Sequence, residues 1–238
     1  MIGLGTLINI VGIVIGGLSG ILFGKRMEER YQNILMSAAG ICVLFLGIAG
    51  VMEGMLTVEQ GKLSSNGALL IIASFSIGAL LGEWLNIELR MEQFGKWLKI
   101  KTNSNGDVNF VEGFVNTSLT VCIGAMAVVG AIKDGISGDY TILTAKAILD
   151  LIIVLVMTVS YGKGCVFSAI PVALFQGSIT LLARLIEPFM TARALSHLSL
   201  TGSILIFCVG VNLIWGKKIK VANLLPSIMI AVACAFFP

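Results

Sequence analysis

Long apolar runs, cut apart by short charged ones, constrain this chain more than any motif in it. Nearly charge-free stretches occupy about residues 2–24, 34–52, 67–86, 111–133, 141–161, 165–186, 197–215 and 221–237. Each comes close to the ~20 residues a helix needs to cross a hydrocarbon core. Only 12% of the 238 residues are charged and 57% are hydrophobic, whereas a soluble domain carries about 25% charge. A chain this apolar has no surface to offer water. The expectation is an all-α, polytopic integral membrane protein with about eight transmembrane helices, a single transmembrane domain over residues 1–238, in contact with the lipid bilayer. The first run lacks a basic n-region and is followed at once by Lys25 and Arg26, which suits a retained helix rather than a cleaved signal.

Basic residues divide unevenly between the loops. Those after helices 1, 3, 5 and 7 hold Lys25, Arg26, Arg30, Arg90, Lys96, Lys99, Lys101, Lys163, Lys217, Lys218 and Lys220, against Lys62, Lys133, Arg184 and Arg193 elsewhere. The positive-inside rule then puts the first set in the cytoplasm and both termini outside. With a formal net charge of +3 distributed by topology, nothing suggests nucleic acid. Residues 87–107 mix Leu89, Phe94, Trp97, Leu98 and Ile100 with Arg90, Lys96, Lys99 and Lys101. That pattern predicts an amphipathic helix in the cytoplasmic interface, ending in a flexible joint at Asn103–Asp107.

Helix 1 carries Gly12, Gly16, Gly20 and Gly24 at a spacing of four, a smooth face for close helix packing or for a subunit interface in a homo-oligomer. The five cysteines stand singly in or beside apolar runs and read as small buried residues. No metal or cofactor is expected. Without an H-E-x-x-H or a nucleophile elbow, and with a single His, the chain gives no catalytic residue and does not read as an enzyme.

The stretch from Glu112 to Gln176 differs from the rest. Helix 4 gathers Asn116, Thr117, Ser118 and Thr120 ahead of Gly124 and Gly130, and helix 5 holds Lys146 and Asp150 inside a span. Four residues apart, these two share a face and pair. Helix 6 carries Ser168, Pro171 and Gln176; Pro171 removes a backbone hydrogen bond and frees the carbonyl of Phe167. Helices 4 and 6 are therefore expected to be broken or kinked, around a polar site that lipid cannot satisfy. The candidate pathway residues are Asp150, Lys146, Gln176, Thr120, Asn116, Ser118 and Ser168. Asp150 and Lys146 form either a site for a proton, cation or substrate group or a structural ion pair.

SAAGICVLFLGI in helix 2 matches SLTGSILIFCVGV in helix 7 with one residue of slip. Were helices 1–3 and 6–8 repeats, they would insert with opposite orientation, as in many transporters. The run VEGFVNTSLTVCIGAMAVVGAIKDGISGDYTILTAKAILDL, then GKGCVFSAIPVALFQG, VGVNLI and KKIKVANLLPS, resembles the YqgA/YdfK-type bacterial inner-membrane proteins over essentially the whole chain. The resemblance implies a bacterial cytoplasmic membrane and, the family's function being unknown, no activity. From depth and chemistry the expected function is transport of a small solute or ion, cation- or proton-coupled. The alternatives are an accessory membrane subunit and, further off, an intramembrane enzyme.

Overall fold

The structure, a computed structural model, describes residues 2–24, 26–59 and 62–236. Lys25 and the end of the eighth run (237) lie outside the described residues. Among these the chain forms α1 (Leu4–Gly24), α2 (Glu29–Met55), strands β1 (Leu56–Glu59) and β2 (Lys62–Ser65), α3 (Ala68–Leu85), α4 (Ile87–Lys101), α5 (Phe110–Cys122), α6 (Ala125–Ser137), α7 (Thr141–Tyr161), α8 (Ala169–Leu181), α9 (Ala183–Ile186), α10 (Ala192–Trp215), α11 (Val221–Leu224) and α12 (Pro226–Cys234).

All eight apolar runs are helical. Six helical stretches are long and apolar enough to span: α1, α2, α3, α7, α10 and the run Lys163–Leu181 that ends in α8. Helices α5 and α6 add a seventh if they are one span, bent by 62°. The last, Val221–Cys234, is apolar but shorter. Leu22, Leu69, Leu80, Trp84, Leu174 and Met229 are each at least two-thirds exposed, a display that water would penalise and lipid does not. The chain is a polytopic membrane protein.

Three local readings need correction. The polar segment after α2, VEQGKLSSNG, reads from its residues as a turn but is an antiparallel strand pair in register Leu56 with Ser65 and Glu59 with Lys62. A Thr57–Ser64 hydroxyl bond of 2.8 Å closes it. The fourth span breaks at Gly124 (φ +138°) as expected, but α6 then runs on to Ser137. Lys133–Ser137 is therefore helix, and the turn shrinks to Gly138–Tyr140. The sixth span is irregular ahead of Pro171: Lys163–Ser168 winds as a tight 3₁₀ turn. Pro171 falls in the first turn of α8, where the missing N–H has no intrahelical partner to lose.

Two compact units divide the chain. The first comprises Met1–Ala39, Arg90–Cys122 and Met126–Pro188. Its organising contact joins α1 to α7. A Cβ on Gly12, Gly20 or Gly24 would lie 2.9, 2.6 or 3.2 Å from the carbonyl oxygens of Ala147, Leu155 and Val159, and one on Gly16 would strike the carbonyl of Leu151. Both partners advance by four, so the helices are parallel and in step. Bare glycine Cα atoms face successive carbonyls, a geometry that favours close packing and Cα–H···O contacts. The glycine stripe is thus covered by α7 of the same chain. On another side of α1, Thr6 meets Thr180, Asn9 meets Gln176 and Gly17 meets Val166, a descending order that makes α1 and α8 antiparallel. Ile13, Val121, Val154 and Val172 fill the space between α1, α5, α7 and α8. Part of α4 also packs here, Phe94 against Phe114 at 5.8 Å. The segment beyond α4 is held by hydrogen bonds: Thr102 Oγ1 donates to the Leu98 carbonyl, and Asp107 accepts from the N–H of Lys163.

The second unit comprises Gly40–Leu89, Ile123–Ala125 and Phe189–Pro238. Gly40, Gly47, Gly50 and Gly54 of α2 meet Ile214, Phe207, Ser203 and Leu200 of α10, again in descending order. Gly78 and Gly82 of α3 meet Ser227 and Asn223. Both pairings are antiparallel and rest on small residues.

Candidate functional site

In the first unit the Lys146 and Asp150 side chains turn inward and are 7% and 3% exposed. The Lys146 ammonium donates to both Asp150 oxygens, at 2.8 and 2.7 Å, and to the carbonyl of Val121 at 2.8 Å. All three of its protons are engaged. Val121 is one residue from the end of α5, so its carbonyl is among those a helix C-terminus leaves without a backbone partner. The helix break at Gly124 supplies that acceptor, and the negative end of the α5 dipole favours a cation beside it.

Asn9 and Gln176, both fully buried, meet on the same side of α7's partner helix α1. Asn9 Nδ2 donates to Gln176 Oε1 at 3.1 Å, and the Asn9 amide lies near Asp150. Asn9 Oδ1 and Gln176 Nε2 have no protein partner. An unpaired acceptor and an unpaired donor thus sit together, an arrangement that burial penalises unless water or a solute pairs with them. One turn away the Thr6 and Thr180 hydroxyls bond at 3.1 Å. Beyond them Asp134, fully buried, accepts the N–H groups of Gly3, Gly5 and Thr6 at 3.2, 3.0 and 3.4 Å. A carboxylate at the start of α1 answers both its free amides and its dipole.

The remaining candidates go elsewhere. Thr120 donates to the Asn116 carbonyl at 2.7 Å and Ser118 to that of Phe114 at 2.6 Å. Asn116 donates to the Tyr161 hydroxyl at 3.2 Å. Among the described residues neither Thr120 nor Gln176 bonds Asp150 directly. Thr120 has satisfied itself on its own helix, the usual resort of a buried hydroxyl, and Gln176 bonds to Asn9. Ser168 Oγ is buried without a partner, as is Thr158 Oγ1. Thr158 also lines a cleft of about 500 Å³ at the far ends of α1 and α7, with Gln32, Asp107, Asn109, Tyr161 and Lys163 among its walls. The Val121 carbonyl and the tie from Asp134 to the start of α1 escaped the sequence reading; Asn9, an amide in a span otherwise rich in glycine, reads as a hydrogen-bond partner between helices, and it is one.

Polar groups of the second unit cluster at helix ends. Glu88 accepts the N–H of Ala222 at 2.9 Å and pairs with Lys217 at 3.0 Å. Glu83 pairs with Lys220 at 2.7 Å where both side chains are 58% exposed. His197 Nδ1 lies 2.9 Å from the Ala231 carbonyl. Between the spans of the first unit, Asp139 receives the Thr141 N–H at 3.0 Å. The Thr141 hydroxyl, and after it that N–H, hold its carboxyl below the usual carboxylate range.

Residues 4–236 match the family described as "Protein of unknown function (DUF554)", and the chain belongs to that family. It is similar to "Uncharacterized membrane protein YdfK" of Bacillus subtilis (strain 168), with 33% identity over 98% of this chain and 95% of that protein. It is also similar to "Uncharacterized protein YqgA" of Escherichia coli (strain K12), with 25% identity over 96% of this chain and 94% of that one. No solved structure matches it.

Proposed function

We propose that this member of the DUF554 family moves a small solute or ion, cation- or proton-coupled, across the bacterial cytoplasmic membrane through the polar seam of its first unit. One observation carries the reading: a buried ammonium–carboxylate pair is tied to the carbonyl end of a broken helix, beside amide atoms with no partner. Broken helices at membrane depth are tolerated where they line protein or water, and their ends commonly hold transported groups. Asp150 is the group that meets the solute and Lys146 the gate that holds it. Asn9 and Gln176 line the path, with Thr6 and Thr180 toward one end and Ser168, Thr158 and the 500 Å³ cleft toward the other.

We read helices 1–3 and 6–8 as an inverted repeat, which fits this function. Helix pairs one and six (α1, α8), two and seven (α2, α10) and three and eight (α3, α11–α12) each run antiparallel. A half-turn relating helices 1–3 to 6–8 would pair each helix with its own counterpart in this manner. We assign both termini to the outside from the loop charges, and no enzymatic step. A homo-oligomer would use a face other than the glycine stripe.

An accessory subunit without transport is the second reading, favoured by the engagement of both Asp150 oxygens with Lys146. Proteoliposome flux with a panel of cations, amines and organic anions separates the two. Flux of one class above protein-free vesicles supports transport, and no flux of any class supports the accessory role.

A further inference from the structure

A cleft of about 520 Å³ opens in the second unit between the ends of α2 and α12 and the starts of α3 and α10. Its floor is apolar: Leu69, Leu70, Ala73, Leu200 and Cys234. Its rim holds Arg193, Ser196 and His197, and no Asp or Glu is among its described lining residues. Arg193 and His197 are one turn apart on α10, so their side chains share a face. A carbonyl can only accept, so the 2.9 Å contact with Ala231 puts a proton on Nδ1, and in the neutral ring Nε2 is then the acceptor. Leu69, at one edge, is 80% exposed, and Ile72 one turn on is 65% exposed.

From this juxtaposition we propose that the cleft binds the headgroup of an anionic phospholipid bearing free hydroxyls. Its phosphodiester lies on Arg193, a headgroup hydroxyl donates to His197 Nε2, and an acyl chain runs along Leu69 and Ile72. Three observations favour a lipid. The cleft lies at the ends of spanning helices, the depth of headgroups. A guanidinium without a carboxylate beside it in the cleft suits a phosphate. The apolar floor continues onto an exposed helix flank, which a soluble anion would leave bare. The loop charges add a fourth. This is the set of helix ends that the bias leaves poor in basic residues, yet one of its few arginines stands in a cleft with the chain's single histidine.

The test uses the full-length protein in nanodiscs of phosphatidylcholine, titrated with chain-matched phosphatidylglycerol and read by native mass spectrometry. Phosphatidylglycerol should be retained over phosphatidylcholine, and Arg193→Ala should weaken that retention about tenfold. His197→Phe should weaken it less, with the thermal melt recording that each variant is folded. Arg193→Lys should keep part of the preference, because it keeps the charge and loses the fork. Equal retention of the two lipids, or full retention by the folded Arg193→Ala/His197→Phe double variant, would overturn the proposal. So would displacement of the lipid by millimolar glycerol phosphate, which would mark a site for a soluble anion.

Discussion

Both units pack helices through glycine, parallel in the first (α1 on α7) and antiparallel in the second (α2 on α10), but they put their polar side chains in different places. In the second, hydroxyls turn back on their own helices, Thr201 to the His197 carbonyl and Ser203 to that of Ser199. Its amides and carboxylates tie down helix ends: Asn212 Oδ1 accepts the N–H groups of Lys218 and Ile219, and Glu88 secures the start of α11. In the first unit Asn9, Gln176, Lys146 and Asp150 lie between helices, away from their ends, and two of their atoms are unpaired. Polar groups at helix ends stabilise turns. Polar groups in mid-span cost stability, and that cost is retained where the group has a task.

The sharpest way to break this contrast is to remove one partner of each unit's ion pair. Lys146→Met leaves a buried carboxylate without its cation and should cost about 3–5 kcal/mol. The Lys146→Met/Asp150→Leu double variant should recover most of that, because a packed apolar pair replaces a desolvated one. Lys220→Ala in the second unit breaks a pair that solvent already screens and should leave the melt nearly unmoved. Thermal unfolding in detergent measures all three, and equal losses for Lys146→Met and Lys220→Ala would erase the distinction.

Packing should behave alike in both units. Gly16→Leu drives a side chain into the Leu151 carbonyl and Gly82→Ala drives one into that of Asn223. The first should cost about 3 kcal/mol and lower the yield of monodisperse protein. Gly177→Ala, with nothing within 4 Å of the new Cβ, should leave the melt unchanged.

The smallest effect lies at the surface. Asp139 is held below the usual carboxylate range by Thr141, so it contributes stability above the ordinary carboxylate pKa and loses it as pH falls through the depressed folded value. Asp139→Asn should lower the melting temperature slightly at neutral pH, and its difference from wild type should vanish as pH falls through the depressed carboxylate value.

The spans were readable because charge is absent from them, and the break at Gly124 because glycine accepts a φ that other residues avoid. The strand pair was not, since VEQGKLSSNG shows turn residues and little alternation. Nor was the extension of α6, because Asp134 and Gly135 carry turn signals that tertiary packing overrides: Asp134 is held by amides some 130 residues away. The same limit applies to the site. Lys146 and Asp150 could be paired from spacing alone, whereas the Asn9–Gln176 bond joins residues 167 apart. For Thr120, depth alone could not say that the hydroxyl would choose the Asn116 carbonyl.

Asp150 is proposed to take part in moving a solute. Asp150→Asn keeps the side-chain volume and removes the charge. Flux should be measured for wild type and Asp150→Asn at equal reconstituted amounts, with matched elution and helical content as the record of folding. Loss of flux in a folded variant is the predicted result. Undiminished flux through folded Asp150→Asn would contradict it and leave the buried pair a structural feature of the first unit.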